Sequence, residues 1–505
     1  SFINLVIITN FLNAYMLVWD MSTVKSIYRN LLFLSSGEII SKILQFVLMV
    51  YAARILDQAS FGKFSFALSL SFIAVITADL GINQLLIREI ARDKNNANKY
   101  FINAFIVKLI FALITWVFII ILLNALNYPK DTRYVVYLIW VFTIISTFTD
   151  LFYSVFRAFE RMFYDSLIKV LRMIILTPLG LYVLFKGYGI LVFSFVFIVV
   201  EILMVSLAYI IAQKKFIKIK LDLSFRFMKD IVKTAFPLGM AFFFSSIYFY
   251  IDIIMLSKMK GDVEVAIYSV AYNLALAILF IPAVYTNAIY PVMSRYYKTS
   301  KENLIYLYKK SFKYLYIIGL PISAGLYVLA SRIIVFFYGN QYLSSVIVLQ
   351  IISWFLFIKF LNFLMAYTLS SVDQQNSRMV GQGLTAVFNV VLNLILIPKM
   401  GYIGAAVSTF FTEIFLFILY YWYVSKSLHR FNFVPILIKP LIATAVMVTF
   451  IIYVNIRLFL IIPLAGLIYF AVIFLLRTFE KDDYKIVEKM FIKADIKETP
   501  KTNSL

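Results

Sequence analysis

Four polar side chains interrupt an otherwise apolar stretch spanning residues 30–57: Glu38, Ser41, Lys42 and Gln45. Their spacing of i, i+3, i+4, i+7 puts all four on one helical face. A bilayer takes about 20 residues to cross, so the stretch is long enough to span. A charge at mid-bilayer costs about 2.5–3.5 kcal/mol on insertion scales, so this face belongs against protein or a wet cavity. Two roles are open to it. Glu38 and Lys42, one turn apart, would offset each other's burial as a pair, or the face forms the polar wall of a transport path.

Further ionisable residues lie in or at the ends of apolar stretches: Arg54, Asp79, Arg88, Lys108, Asp150, Arg157, Arg172, Glu201, Asp252, Lys359 and Glu413. Cations facing a cavity suit a phosphorylated substrate, because a guanidinium forks onto phosphate oxygens and an ammonium acts as a point charge. On that chemistry Glu38, Lys42, Arg54, Arg88 and Lys108 form the candidate substrate-binding set. For Arg54, Arg88, Arg157 and Arg172 the alternative is snorkelling to headgroups near span ends. Asp79, Asp150 and Asp252 are candidates for ion pairing or for holding a coupling cation, Na+ or H+. Pro282 and Pro321 remove backbone hydrogen bonds within spans and are candidate hinges, with a static kink as the alternative. The aromatic run at 242–250, FFFSSIYFY, could stack on sugars or grip a polyprenyl chain, although lipid-facing bulk is the expectation for most of it.

The elements that must position these residues follow from composition. The chain has 505 residues, 63% hydrophobic and 14% charged, with a mean hydropathy of +0.92. A soluble domain is nearer half apolar and one quarter charged, so this is an all-α polytopic membrane protein. There are no cysteines and one histidine, His429. That removes disulfides, thiolate nucleophiles and Cys/His zinc sites. No Gly-rich phosphate loop is present, which argues against ATP-driven work by this chain alone. The net charge of +22 is expected to face anionic membrane lipid, not nucleic acid. No bound cofactor or metal is expected.

Fourteen spans are expected. Six precede a linker: 31–52, 64–86, 101–124, 134–156, 166–185 and 189–211. Eight follow it: 234–257, 266–290, 312–331, 346–370, 379–397, 402–424, 434–454 and 458–476. With the N-terminus inside, cytoplasmic segments carry 34 of the 47 basic residues and outer loops ten; Lys42, Lys108 and Lys359 fall within spans. A miscounted span would scramble that alternation, so both termini are placed in the cytoplasm. Residues 1–20 lack the basic start of a signal peptide and are expected to lie upstream of a native start at Met21.

The chain also repeats. FSFALSL (64–70) echoes YSVAYNL (268–274), and a Gly-to-Glu interval of twelve residues recurs at Gly189–Glu201 and Gly401–Glu413. Two six-helix lobes of like orientation, 31–212 and 234–425, would be related by a pseudo-twofold along the membrane normal, with substrate between them. Residues 426–477 add two spans and 478–505 a cytoplasmic tail. The linker, 213–233, opens with Lys214, Lys215, Lys218 and Lys220. From Ser224, a helix N-cap, it presents an apolar face of Phe225, Met228, Ile231 and Val232, as an interfacial helix would.

Several passages in order resemble the polysaccharide transporter branch of the multidrug/oligosaccharidyl-lipid/polysaccharide flippase superfamily. They are SSGEIISKILQFVLMVYAARIL, ADLGINQLLIREIAR, FPLGMAFFFSSIYFYIDIIML, EVAIYSVAYNLALAI with IPAVYTNAIYPVMSR, FFYGNQYLSSVIVLQIISW, and FNVVLNLILIPKMGYIGAAVSTFFTE, covering about residues 30–425. The resemblance implies a V-shaped cavity between two lobes and alternating access that carries a lipid-linked oligosaccharide across the membrane. It further implies a cationic cavity for the phosphate, for which Lys42, Arg54, Arg88 and Lys108 are the nearest matches. Asp57 stands where relatives usually have Gly, which puts the turn after the first helix in doubt.

The expected function is a flippase in the cell membrane that moves polyprenyl-phosphate-linked saccharide outward, forming and breaking no covalent bond. Expected partners are the lipid-linked oligosaccharide and other glycan-assembly proteins. A cation-coupled multidrug exporter of the same fold is the rival, disfavoured by the span count and the cations. A membrane glycosyltransferase or polymerase would want carboxylates in a sizeable outer loop. The longest such loop runs only about 332–345. A scaffold for envelope assembly is a third rival, weakened by the buried charges.

Overall fold

The computed structural model describes residues 21–430 and 432–479; the expectations for residues 1–20 and for the tail beyond 479 lie outside them. The described residues form fifteen α-helices, and eleven helical stretches are long and apolar enough to cross a membrane. In chain order the helices are α1 (Met21–Ile55), α2 (Gln58–Asp79), α3 (Ile82–Arg92), α4 (Ala97–Ala125), α5 (Lys130–Ala158), α6 (Met162–Phe185), α7 (Gly189–Lys215), α8 (Phe225–Lys260), α9 (Asp262–Ile278), α10 (Phe280–Thr299), α11 (Lys301–Tyr338), α12 (Ser345–Ser371), α13 (Gln375–Ser427), α14 (Val434–Tyr453) and α15 (Leu458–Leu475).

Every expected span falls on helix, but three boundaries differ. The span expected at 64–86 breaks at Leu80 and Gly81, both in the left-handed region, and α3 leaves as a separate amphipathic helix with Ile82, Leu85, Leu86 and Ile90 buried. The linker helix and the next span form one continuous α8. Ser224 does cap it, accepting from the Phe227 N–H at 3.4 Å. Of the linker's expected apolar face, Ile231 is buried, whereas Phe225 stays 85% exposed. The span expected at 266–290 breaks at Leu279, between α9 and α10. Pro282 thereby lies in the first turn of a new helix, where its missing N–H costs little. Pro321 sits inside an uninterrupted α11. The spans at 379–397 and 402–424 are two helices as expected: α13 folds back on itself at Gly401, whose φ of 57° and ψ of −134° are non-helical, and the Ser408 hydroxyl donates to the Asn389 carbonyl at 3.4 Å between the two arms.

The echoed segments acquire a physical meaning here. Both lie on α2 and α9, which pack against each other, and both are largely buried. Near the start of α2 the approach is so close that a Cβ on Gly62 would fall 1.8 Å from the Asp262 carbonyl oxygen. Toward the other end, Gly239 of α8 lies against the Leu80 backbone, where a Cβ would sit 2.6 Å from the carbonyl carbon. The Gly-to-Glu echo is also structural. Gly189 and Gly401 both have positive φ, and Glu201 and Glu413 are both fully buried.

Packing partners repeat in the same register. α1 lies on α6, α2 on α5 and α5 on α7, as α8 lies on α13, α9 on α12 and α12 on α13. The α2 face meets both α8 and α9 extensively, while α1 meets α9 and α11 through a few residues. In the second half of α1, the amide of Gln341, in the turn after α11, donates to the Ala53 and Arg54 carbonyls at 3.0 and 3.2 Å, and the Phe46 ring meets Phe337 of α11 edge to face at 5.4 Å.

Asp57 resolves the doubt over the turn after α1. It is the N-cap of α2, with extended φ of −64°, and its carboxylate accepts from the Ser60 N–H at 2.9 Å. An acidic cap there needs no glycine.

Candidate functional site

Charge converges where α1, α2, α4, α5, α6 and α7 meet. The face anticipated on α1 is present, with a different partner. Glu38 pairs with Lys169 of α6 at 2.6 Å, not with Lys42. Lys169 also lies 3.2 Å from Asp165 one turn away, and Arg157 Nε reaches the other Asp165 oxygen at 2.6 Å. The Lys169 ammonium further stands over the Tyr153 ring. Deeper in the bundle, the Lys108 ammonium is fully buried and donates to Asn83 Oδ1, Thr147 Oγ1 and the Thr147 carbonyl, each at 2.9 Å. It lies 2.7 Å from Asp79, so this Asp–Lys pairing closes a fully coordinated site. Arg172 reaches Glu201 at 3.4 Å, and the Thr149 hydroxyl donates to the same carboxylate at 2.7 Å.

The cluster is therefore balanced instead of simply cationic. Lys42, Lys108, Arg157, Lys169 and Arg172 face Glu38, Asp79, Asp150, Asp165 and Glu201. Four of those cations pair with carboxylates. Lys42 is exposed and makes no ion pair or hydrogen bond among the described residues, and Asp150 is likewise exposed and without a salt bridge. Asp150 lies within electrostatic reach of Lys108, Arg172, Lys169 and Asp79. Neutrality lowers the cost of burying so many charges, because each desolvated ion meets its opposite at hydrogen-bonding distance.

Along α1, two arcs are open between residues 38 and 45: half-buried Glu38 with exposed Lys42 and Gln45 on one, exposed Ile39, Ile40 and Ile43 on the other. Lipid suits the second arc; the first needs water or a ligand. The remaining members of the expected set lie elsewhere. Arg54 is exposed in the last turn of α1, where only its carbonyl is engaged, and Arg88 is exposed on α3 and pairs with adjacent Glu89 at 2.7 Å. The sequence reading passed over Lys169 and Asp165, which sit at the start of a span and look like loop charges. Their signal was periodic: Asp165, Lys169 and Arg172 recur at i, i+4, i+7 on one face of α6.

A second polar centre occupies the later helices. Asp252 is buried, accepting from the Thr409 hydroxyl at 2.6 Å, the Tyr268 hydroxyl at 3.1 Å and the Asn393 amide. Asn393 also donates to Asn389 Oδ1 at 3.1 Å, while its own Oδ1 is buried without a partner. No basic side chain among the described residues pairs with Asp252. One turn back on α8, Tyr248 accepts from Lys359 at 3.0 Å, and Lys359 lies 3.3 Å from Glu413 with the Tyr248 and Phe249 rings over its ammonium. These two aromatics therefore shield a buried ion pair instead of facing lipid.

A family model described as polysaccharide biosynthesis protein matches residues 27–297, and the MatE family model matches 237–395. An uncharacterised membrane protein of Methanocaldococcus jannaschii is 27% identical over 290 residues, 55% of this chain and 57% of that protein. The chain thus spans a little over half the length of that relative. A protein named as a probable low-salt glycan biosynthesis flippase of Haloferax volcanii is 24% identical over 372 residues, 72% of this chain and 76% of that one. The solved lipid II flippase MurJ, in an inward closed conformation, superposes with a TM-score of 0.72 at 18% identity, over 88% of this chain and 98% of that one. With more than half of its length under one family model and this fold, the chain belongs to the polysaccharide biosynthesis protein family of the multidrug/oligosaccharidyl-lipid/polysaccharide flippase superfamily.

Proposed function

We propose that this protein is a flippase that carries polyprenyl-phosphate-linked oligosaccharide from the cytoplasmic to the outer face of the cell membrane. The family assignment and the named Haloferax relative support the substrate class. The carrying observation is Lys42: an exposed ammonium on the polar arc of α1, within electrostatic reach of Glu38 but making no ion pair or hydrogen bond among the described residues, beside a network in which the other cations are matched. An incoming phosphate takes up that free charge without breaking a buried pair, and Glu38 and Lys169 can exchange partners around it. Residues 31–212 and 234–425 act as two lobes that part alternately, joined by the cytoplasmic linker at 213–233, with residues 426–477 as an appended helix pair and both termini in the cytoplasm.

The energy source in this reading is a cation held at Asp252. One carboxylate, the unpartnered Asn393 Oδ1, Asn389 Oδ1 and Thr409 Oγ1 offer hard oxygen ligands of the kind an alkali ion takes, and a turn of the Asn393 amide would bring its oxygen in. The same centre would serve a drug exporter, as the MatE match over this region allows.

Export of the lipid-linked glycan in deletion cells complemented with variants tests both parts. Lys42→Glu is expected to abolish export while the protein still accumulates in the membrane, and export at the wild-type level removes Lys42 from the path. Asp252→Asn is expected to remove stimulation by a Na+ or H+ gradient; stimulation that persists places coupling elsewhere. Expulsion of cationic dyes without any glycan phenotype would favour the exporter.

A further inference from the structure

Outer loops hold only ten of the 47 basic residues, yet two of the ten come together in space. Arg332, at the outer end of the membrane-crossing part of α11, and Arg457, in the turn from α14 to α15, are 125 positions apart in sequence. Both line one open cavity of about 480 Å3, together with Ser331, Phe336 and Asn455. The packing of α11 on α14 and α15 brings them there.

Two like charges drawn together in a loop set so poor in cations call for a counter-anion. None is supplied by the protein: no acidic residue lines the cavity, and among the described residues neither arginine makes a salt bridge. Arg332 Nη1 reaches only the Ile456 carbonyl, at 3.5 Å, which leaves most of its guanidinium donors open. Arg457 is exposed and is the N-cap residue of α15, with no side-chain cap bond, so the positive end of an 18-residue helix adds to the same field. Beside the charges stands an apolar wall: Val335 and Phe336, the latter 52% exposed, with Leu458 opposite.

From this geometry we infer a binding site for a phosphate-bearing lipid headgroup in the outer leaflet, with the arginines forking the phosphate and the apolar wall against the upper acyl chain. Arginine suits the task because two parallel N–H donors match two phosphate oxygens. The site depends on the outward orientation of the α11 and α14–α15 ends, not on the flippase reading. It stands or falls separately from transport.

The test uses the full-length protein in detergent, with ligand counts and affinities from native mass spectrometry. Probes are short-chain phosphatidic acid, inorganic phosphate and the matching uncharged diacylglycerol. Phosphatidic acid is expected to bind at least tenfold more tightly than either other probe, and Arg332→Gln/Arg457→Gln is expected to weaken it at least tenfold. The Lys/Lys double variant, which keeps charge but loses the fork, should fall between. If the Gln/Gln protein fails to fold, Arg457→Gln alone, at an exposed position, is expected to lose about threefold. Unchanged phosphatidic acid binding in a folded Gln variant overturns the site. Inorganic phosphate binding as tightly as phosphatidic acid overturns the lipid assignment in favour of a free anion, and equal binding of diacylglycerol overturns the role of the phosphate. A glycan-export defect without loss of lipid binding would bear on transport alone.

Discussion

Lys108 and Lys42 differ in what their removal would leave behind. Taking the ammonium from Lys108 strands Asp79, whose side chain is 23% exposed, among acceptors arranged for a cation. Breaking a buried pair from one side costs about 3–5 kcal/mol, and the partial exposure of Asp79 puts the expectation near the lower end. Lys108→Met should therefore lower the melting temperature in detergent sharply, and Asp79→Asn/Lys108→Met should recover most of the loss. A double variant no more stable than the single one would mean the pair is not the stabilising feature. Lys42→Ala leaves nothing unpaired, so its stability is expected to stay within about 0.5 kcal/mol of wild type while glycan export falls. That separation of stability from activity is the residue-scale signature of a ligand-facing charge. What could be read from sequence divides along the same line. The helical face containing Glu38 and Lys42 was legible from spacing alone. Its true partner, Lys169, lies 131 residues away, and no local rule pairs residues at that separation.

Among the elements, α13 turns back on a single glycine. Its two arms join at Gly401, whose φ of 57° few other residues adopt. Glu264, in the first turn of α9, holds the bend by accepting from the Tyr402 N–H at 2.7 Å. A Cβ on Gly401 would lie 2.3 Å from that carboxylate. Gly401→Ala is expected to cost about 1–3 kcal/mol from backbone strain with the clash added to it. Glu264→Ala/Gly401→Ala should relieve the clash but not the strain, so denaturation should show partial recovery; full recovery would assign the whole effect to the clash. The sequence places a boundary at 398–401 between two spans, and the structure has it there. Hydropathy does not show the break at Leu80, where an apolar run conceals a left-handed residue that separates α2 from the amphipathic α3.

Across the whole molecule, the twofold echo was visible as two short matches and one interval, and the structure turns those matches into mutual contact. The seven-residue echoes lie on the helices that meet across the middle, so similarity was retained where each copy packs against the other. What sequence could not convey is the inequality of the two seams. α2 lies along α8 and α9 for much of its length, whereas α1 is fastened near one end, chiefly by Gln341 and the Phe46–Phe337 contact. Side chains that reach a carbonyl hundreds of residues away leave no periodic trace. Gln341→Ala removes two such bonds at once and is expected to loosen the thin seam selectively, read as faster amide exchange at 46–55 with little change in α5 or α7. Uniform exchange across the bundle would show that the fastening is shared more widely.

The bare backbone contacts at Gly62 and Gly239 have a mechanical consequence. Surfaces that meet without interlocked side chains can be pulled apart and pressed together again along the same track, with no rotamer to reset at each cycle. A single methyl at position 62 has no room to tuck away and would act as a doorstop between α2 and α9.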